Sequence, residues 1–254
     1  MSEIELVGGV NRVVRHGDTV SRPAGAWTPS VHRLLDHLQA RAFQGAPRAL
    51  GISEDGQEET LSYIDGEVGH YPLPACARSD EALTAAARLL RGLHDASADF
   101  PHRSDDVWML PTRQPVEVVC HGDAATYNCV FQQGLPTAFF DFDTAHPGPR
   151  LWDAAYTAYR FIPLHAPDAD EGSLPLAEQS RRLRLFAEAY GLTAEERAQL
   201  PATVAERLGS MVEFMTEQAT AGHPAFARHL AEGHHLRYLA DAEHVTAHAD
   251  QLAC

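Results

Sequence analysis

Apolar and polar residues alternate over the first 22 positions, and this period predicts three strands. They are Ile4-Glu5-Leu6-Val7, Val13-Val14-Arg15 and Thr19-Val20-Ser21-Arg22, the last two joined by a hairpin turn at His16-Gly17-Asp18. Gly8-Gly9 reads as a turn whose backbone N–H groups suit a phosphate. The period then changes. Thr28-Pro29 predicts a helix start, with Thr as N-cap and Pro at the first helical position. Val31, Leu34, Leu35 and Leu38 follow at helical spacing and give residues 29–40 one apolar face. Strands are expected over 47–52 and 60–64, around a turn at Glu54-Asp55-Gly56-Gln57.

The segment 66–74 holds Gly66, Gly69, Pro72 and Pro74 and breaks the pattern. It predicts an α+β chain of two lobes, a small β-rich one over 1–65 and a larger, mainly helical one over 66–254. Ser79 caps a helix in which Ala82, Ala86, Leu89, Leu90 and Leu93 share a face. Residues 99–115 read as loop. Val116, Val118 and Val119 predict a strand, and Cys129-Val130-Phe131 pairs with 135–140 around Gln132-Gln133-Gly134. A helix over 151–161 carries Asp153, an acid that needs a backbone or cationic partner once buried. An acidic loop is expected over 168–173. Residues 181–190 form a helix stopped at Gly191, and Thr193 to Glu196 is a capping box opening the next. Pro201 is expected to separate or kink two helices, and Gly222-His223-Pro224 to break another.

At 254 residues the chain can bury a sizeable core. Its net charge of -15 argues against nucleic-acid binding, which needs cations against phosphate, and suits the attraction of cationic small molecules. The four cysteines, Cys76, Cys120, Cys129 and Cys254, show no metal or redox spacing. They read as reduced thiols of a cytoplasmic protein, and neither a signal peptide nor a membrane span is expected.

The chemistry is expected between residues 120 and 143. Cys120-His121-Gly122-Asp123 is followed by Asn128, and Phe140-Asp141-Phe142-Asp143 lies just beyond the predicted hairpin. The hairpin would return Asp141 beside Asn128. Oxygen donors of this kind suit Mg²⁺, which keeps phosphate and water in its shell. The spacing H-G-D-x-x-x-x-N is expected by chance in about one chain in a thousand of this length. The chain has only two asparagines, Asn11 and Asn128, and Asn128 falls where the pattern needs it.

This ordered set resembles the aminoglycoside phosphotransferase family, small-molecule kinases with a bilobal protein-kinase-like fold. The resemblance implies that Asp123 receives or orients the acceptor hydroxyl. It implies that Asn128 and Asp141 hold Mg²⁺, with Asp143 on a second ion or a bound water. Ser62, Tyr63 and Ile64 look like the hinge that holds a nucleotide base through backbone groups, ATP being expected and GTP not excluded. Leu93-His94 and Leu151-Trp152-Asp153 are similar to further segments of the family. The implied activity is transfer of the ATP γ-phosphate to a hydroxyl of a small cationic molecule such as an aminoglycoside.

Two departures stand out. The family's third strand carries a lysine paired with a glutamate on the next helix. This sequence contains no lysine, and its helix offers His32, Asp36 and His37 instead. Arg22, at the end of the third strand, is the expected substitute for nucleotide phosphate. The second departure is Ala124-Ala125-Thr126-Tyr127, where the family has histidine-proline. Both leave open a catalytically impaired nucleotide-binding protein of the same fold. A metal-binding or hydrolytic protein is a third reading, from His229, His234 and His235. Cys120 beside His121 also admits a thiol nucleophile, although a half-buried strand cysteine is the expected state.

Overall fold

β-branched and apolar residues on alternate positions build the first sheet of the computed structural model, which describes residues 3–6, 13–70, 73–167 and 173–253. The first strands are β1 (Glu3–Leu6), β2 (Val13–His16) and β3 (Thr19–Pro23). Helix α1 (Thr28–Ala40) follows, then β4 (Ala49–Ile52) and β5 (Glu58–Ser62). These five strands form one antiparallel sheet in the order β1-β2-β3-β5-β4. The β3–β5 register sets Arg22 opposite Glu59 and Thr19 opposite Ser62. Gly8-Gly9 lies outside the described residues.

Thr28 is the first residue of α1 rather than its cap, and Trp27 holds the cap position. The Thr28 hydroxyl accepts the Gly25 N–H at 2.9 Å, so it secures the preceding turn instead of the helix end. Val31, Leu34, Leu35 and Leu38 are buried as the helical spacing predicts. Each contributes about 1.5–3 kcal/mol of hydrophobic stabilisation.

The segment after Gly66 is not wholly irregular. Strand β6 (Glu67–Val68) pairs with β8 (Cys129–Gln132), which pairs with β9 (Leu135–Phe139). Helix α2 (Asp80–Ser97) starts at Ser79, whose side chain accepts the Ala82 N–H. Strand β7 (Val118–Cys120) pairs with β10 (His146–Gly148). The expected strand start at Val116 is shortened, because Glu117 and Val116 lie outside this pairing and Val116 is exposed.

Beyond β10 the described chain is helical: α3 (Arg150–Phe161), α4 (Leu176–Tyr190), α5 (Ala194–Thr220), α6 (Pro224–Ala231), α7 (His234–Ala247) and α8 (Ala249–Leu252). Residues 168–172 of the expected acidic loop lie outside the described residues. The Thr193–Glu196 capping box is formed in both directions. Pro201 does not divide α5, which continues through it. Leu200, Val204 and Leu208 are buried on one side of that helix, and their packing outweighs the lost backbone bond. A single core joins Leu34 and Leu61 to Leu90, Phe139, Tyr156, Phe186 and Leu208, so sheet and helices share one interior. No helix among the described residues is long and apolar enough to cross a membrane.

Candidate active site

Strand β7 delivers His121-Gly122-Asp123 to a turn, and hydrogen bonds fasten that turn to the segment after β9. The Phe140 N–H donates to Asn128 O at 3.0 Å. His121 Nε2 lies 3.0 Å from Phe140 O, and its Nδ1 accepts the Asp123 N–H at 3.3 Å. These partners put the proton on Nε2. Burial pushes the His121 imidazolium down, against the pull of Asp153, Asp123 and Asp141, so the ring braces the loop as a neutral group. Gly122 has φ +81°, and an added Cβ would lie 2.3 Å from Thr144 O. Only glycine fits this left-handed, crowded position.

Asp153 holds the same loop from α3. Its Oδ2 accepts the His121 N–H at 2.7 Å and its Oδ1 the Gly122 N–H at 3.0 Å. His94 Nε2 from α2 lies 3.0 Å from Oδ2, and its Nδ1 meets the Tyr190 hydroxyl at 2.5 Å. Burial alone would push this carboxyl up. The hydrogen bond from His94 and those from the His121 and Gly122 N–H groups pull it well below the usual carboxylate range. Arg207 of α5 adds a bond to Gly122 O at 2.6 Å.

The Asp123 carboxylate is gripped on both oxygens. Tyr127 Oη donates to Oδ1 at 2.7 Å, and Asn128 Nδ2 donates to Oδ2 at 2.9 Å. Tyr156 Oη lies 3.1 Å from Tyr127 Oη. Desolvation raises the Asp123 carboxyl above its ordinary value, while the Tyr127 bond and the Arg160 charge draw it back.

Arg22 reaches the same cleft from β3. Its Nη1 lies 2.5 Å from Asp141 Oδ1 and its Nη2 2.5 Å from Asp143 Oδ1. Its Nε donates to Glu59 Oε1 at 2.8 Å. The other Glu59 oxygen meets His32 Nε2 of α1 at 2.7 Å. Burial would strip the proton from Arg22, but Asp141, Asp143 and Glu59 hold it on. Burial raises the Asp143 carboxyl, as do Asp141 and Glu59, against the pull of Arg22. Asp141 has φ 64° and ψ 63°, a left-handed conformation that costs a non-glycine residue on the order of 1 kcal/mol.

The donor set suits a hard divalent cation. Asp141 and Asp143 each commit one oxygen to Arg22 and keep the other outside that pairing, and Asn128 presents its amide oxygen while its nitrogen is bound to Asp123. Among the described residues no three His, Cys, Asp or Glu side chains gather as a metal site, the C-terminal histidines included, although the His229 and His234 rings stack at 4.9 Å. The Cys120 thiol is buried and pushed well above its usual value by that burial and by Asp153, which removes the thiolate nucleophile.

The hinge segment lies apart from this cluster. The Ser62 N–H goes to Arg48 O at 3.0 Å and the Tyr63 N–H to Asp18 O at 2.8 Å, while that of Ile64 meets no described acceptor. Ser62, Tyr63 and Ile64 line a cleft of about 460 Å³ with Asp18, Gln44, Ala46 and Arg48. Arg22, Asp123, Asn128, Asp141 and Asp143 are not among its walls.

The sequence of this chain is 32% identical over 197 residues to the trifolitoxin immunity protein of Rhizobium leguminosarum bv. trifolii, spanning 75% of this chain and 74% of that one. The model of the phosphotransferase enzyme family matches residues 100–173, which hold the His121–Asn128 loop, Asp141, Asp143 and Asp153. The chain belongs to the phosphotransferase enzyme family. Solved structures show the same fold. A choline/ethanolamine kinase family protein from Mesorhizobium loti superposes with a TM-score of 0.62 at 18% identity, covering 95% of this chain and 92% of that one. Amicoumacin kinase hAmiN, in complex with AMP-PNP, Ca²⁺ and Ami, superposes with a TM-score of 0.66 at 11% identity, covering 91% and 88%.

Three further residues have contacts at this cluster that the sequence motif does not reveal. Glu59 is visible only through the β3–β5 register. Tyr127 lies inside the motif, but its bond to Asp123 depends on the turn geometry. Tyr156 reaches Tyr127 from α3. Glu213, Glu217 and Glu243 are exposed. Asp241 is buried and bound to Tyr159, His165 and the Ala166 N–H.

Proposed function

We propose that this protein transfers the γ-phosphate of ATP or GTP to a hydroxyl of a small molecule, with residues 1–65 serving the nucleotide and 66–254 the acceptor. One observation carries the reading: Arg22 of β3 meets Asp141 and Asp143 in a single cluster beside the Asp123–Asn128 turn. Phosphoryl transfer asks mainly for positioning and charge neutralisation. Asp123 orients the acceptor hydroxyl and takes its proton as the oxygen bonds to phosphorus. The bond from the γ-phosphorus to the bridging oxygen breaks, and its electron pair leaves with the diphosphate. Asn128, Asp141 and Asp143 would hold Mg²⁺, which supplies charge neutralisation at the phosphates when bound. Arg22 binds phosphate oxygens, and Ile64 offers the hinge its open N–H.

The net charge of -15 supports a cationic acceptor such as an aminoglycoside, through steering. The relative named as a trifolitoxin immunity protein adds toxins to the acceptors worth screening. The tight grip of Arg22 on Asp141 and Asp143 favours a second reading, a protein that binds nucleotide without transferring phosphate. The deciding experiment follows γ-phosphate transfer to an acceptor panel by wild type and Asp123→Ala. Transfer by wild type that Asp123→Ala abolishes supports the kinase. Activity surviving the substitution removes Asp123 from its role, and Mg²⁺-dependent binding with no product supports the second reading.

A further inference from the structure

Among the described residues Arg22 has three acidic partners, and they are not equivalent. Glu59 is 1% exposed, while Asp143 is 13% and Asp141 43% exposed. Glu59 stands directly across the sheet from Arg22, on a neighbouring strand whose register fixes the pair. Its second oxygen is clamped by His32 of α1. Asp141 and Asp143 sit on the segment after β9, outside any sheet. One partner is therefore built into the sheet, and two approach from another part of the chain.

The three bonds also use different nitrogens. Glu59 takes Nε, the nitrogen nearest the chain, while Asp141 and Asp143 take the two terminal nitrogens. If the aspartates turn to a cation, as the proposed function requires, Arg22 loses its two terminal partners. A buried guanidinium left without a counter-charge is strongly unfavourable. Glu59 is the acid that stays, and it does so without covering the two nitrogens that suit a bidentate phosphate contact.

We propose that Glu59, clamped by His32, is the positioning residue for Arg22: it keeps the guanidinium in place while Asp141 and Asp143 exchange it for a metal, leaving Nη1 and Nη2 for nucleotide phosphate. The inference rests on the phosphotransferase reading above. It moves the acid that steadies the phosphate-binding cation from a helix to the adjacent strand. The helix contributes only the histidine, so displacement of α1 does not by itself release Arg22.

The test uses the full chain, Mg²⁺ and AMP-PNP, with binding measured by calorimetry and folding by thermal melting. Glu59→Gln is expected to weaken AMP-PNP binding by about tenfold or more, the scale of a lost charged hydrogen bond. Adding His32→Glu to Glu59→Gln puts a carboxylate on α1 beside position 59, restoring a counter-charge near the guanidinium, and is expected to recover part of the affinity. A merely structural role for Glu59 would not produce that recovery. If Glu59→Gln does not fold, Glu59→Asp keeps the charge and withdraws it by one methylene, and weaker binding in that variant supports the proposal. Unchanged affinity in a folded Glu59→Gln or Glu59→Asp protein overturns it. A wild type that binds no AMP-PNP removes the phosphotransferase reading and this inference together. A wild type that binds, with Glu59 variants that bind equally, removes this inference alone.

Discussion

The Tyr127 hydroxyl donates to Asp123 Oδ1 at 2.7 Å, where an acceptor hydroxyl would have to present its proton. This bond stabilises the Asp123 carboxylate against the desolvation that raises its carboxyl. Tyr127→Phe removes it, so the carboxyl rises further and the reactive carboxylate appears only at higher pH. The acidic limb of the kcat/KM profile is expected to move to higher pH, with a loss of roughly tenfold on that limb. A profile that does not move would detach Tyr127 from Asp123 in the reaction.

Among the described residues, Arg22 supplies the guanidinium bonded to Glu59, whose other oxygen meets His32. Arg22→Ala leaves a buried acid without its guanidinium and is expected to destabilise the fold by about 3 kcal/mol. Urea unfolding measures this directly. Arg22→Lys keeps one charge but cannot reach Glu59, Asp141 and Asp143 through three separate nitrogens, so its stability should fall between the two. A loss below about 1 kcal/mol for Arg22→Ala would mean that the cluster contributes little to folding.

Asp153 is depressed in the folded state, so its contribution is fully present above the unfolded carboxylate value of about 3.9 and fades as pH falls toward the folded value. Asp153→Asn should cost about 3 kcal/mol at neutral pH, because it also breaks the grip on the His121 and Gly122 N–H groups. The gap between wild type and variant is expected to narrow below about pH 4. Stability curves at pH 7 and pH 3 with an equal gap would contradict the assignment.

Gly122→Ala places a Cβ 2.3 Å from Thr144 O at φ +81°. Neither the carbonyl nor the backbone can give way cheaply, so a loss of about 2 kcal/mol or more is expected, together with a misplaced Asp123. Chemical denaturation reads the first effect. A variant as stable as wild type would show that the turn relaxes.

Much of the framework is legible locally. Leu34, Leu35 and Leu38 declare their helix by spacing, Ser79 and Thr193 declare helix starts by cap chemistry, and the β8–β9 hairpin follows from a turn between apolar runs. The His121-Gly122-Asp123 and Asn128 spacing marks one hydrogen-bonded turn because those residues bond each other within one short segment. Pro201 misleads for the opposite reason. The local penalty is real, but the burial of Leu200, Val204 and Leu208 against the rest of the fold outweighs it.

The partners of the charged groups are another matter. Glu59 lies 37 positions from Arg22, and Asp141 lies 119 away. No period or cap relates them. The sequence alone determines that a cation stands at the end of β3, that two acids follow β9, and that no lysine is available. Only the β3–β5 register and the folding of the post-β9 segment decide that Arg22 is shared among Glu59, Asp141 and Asp143, and that His32 completes the group. Charge attracts without direction, and the choice among many available acids is made by which backbones the tertiary fold holds side by side.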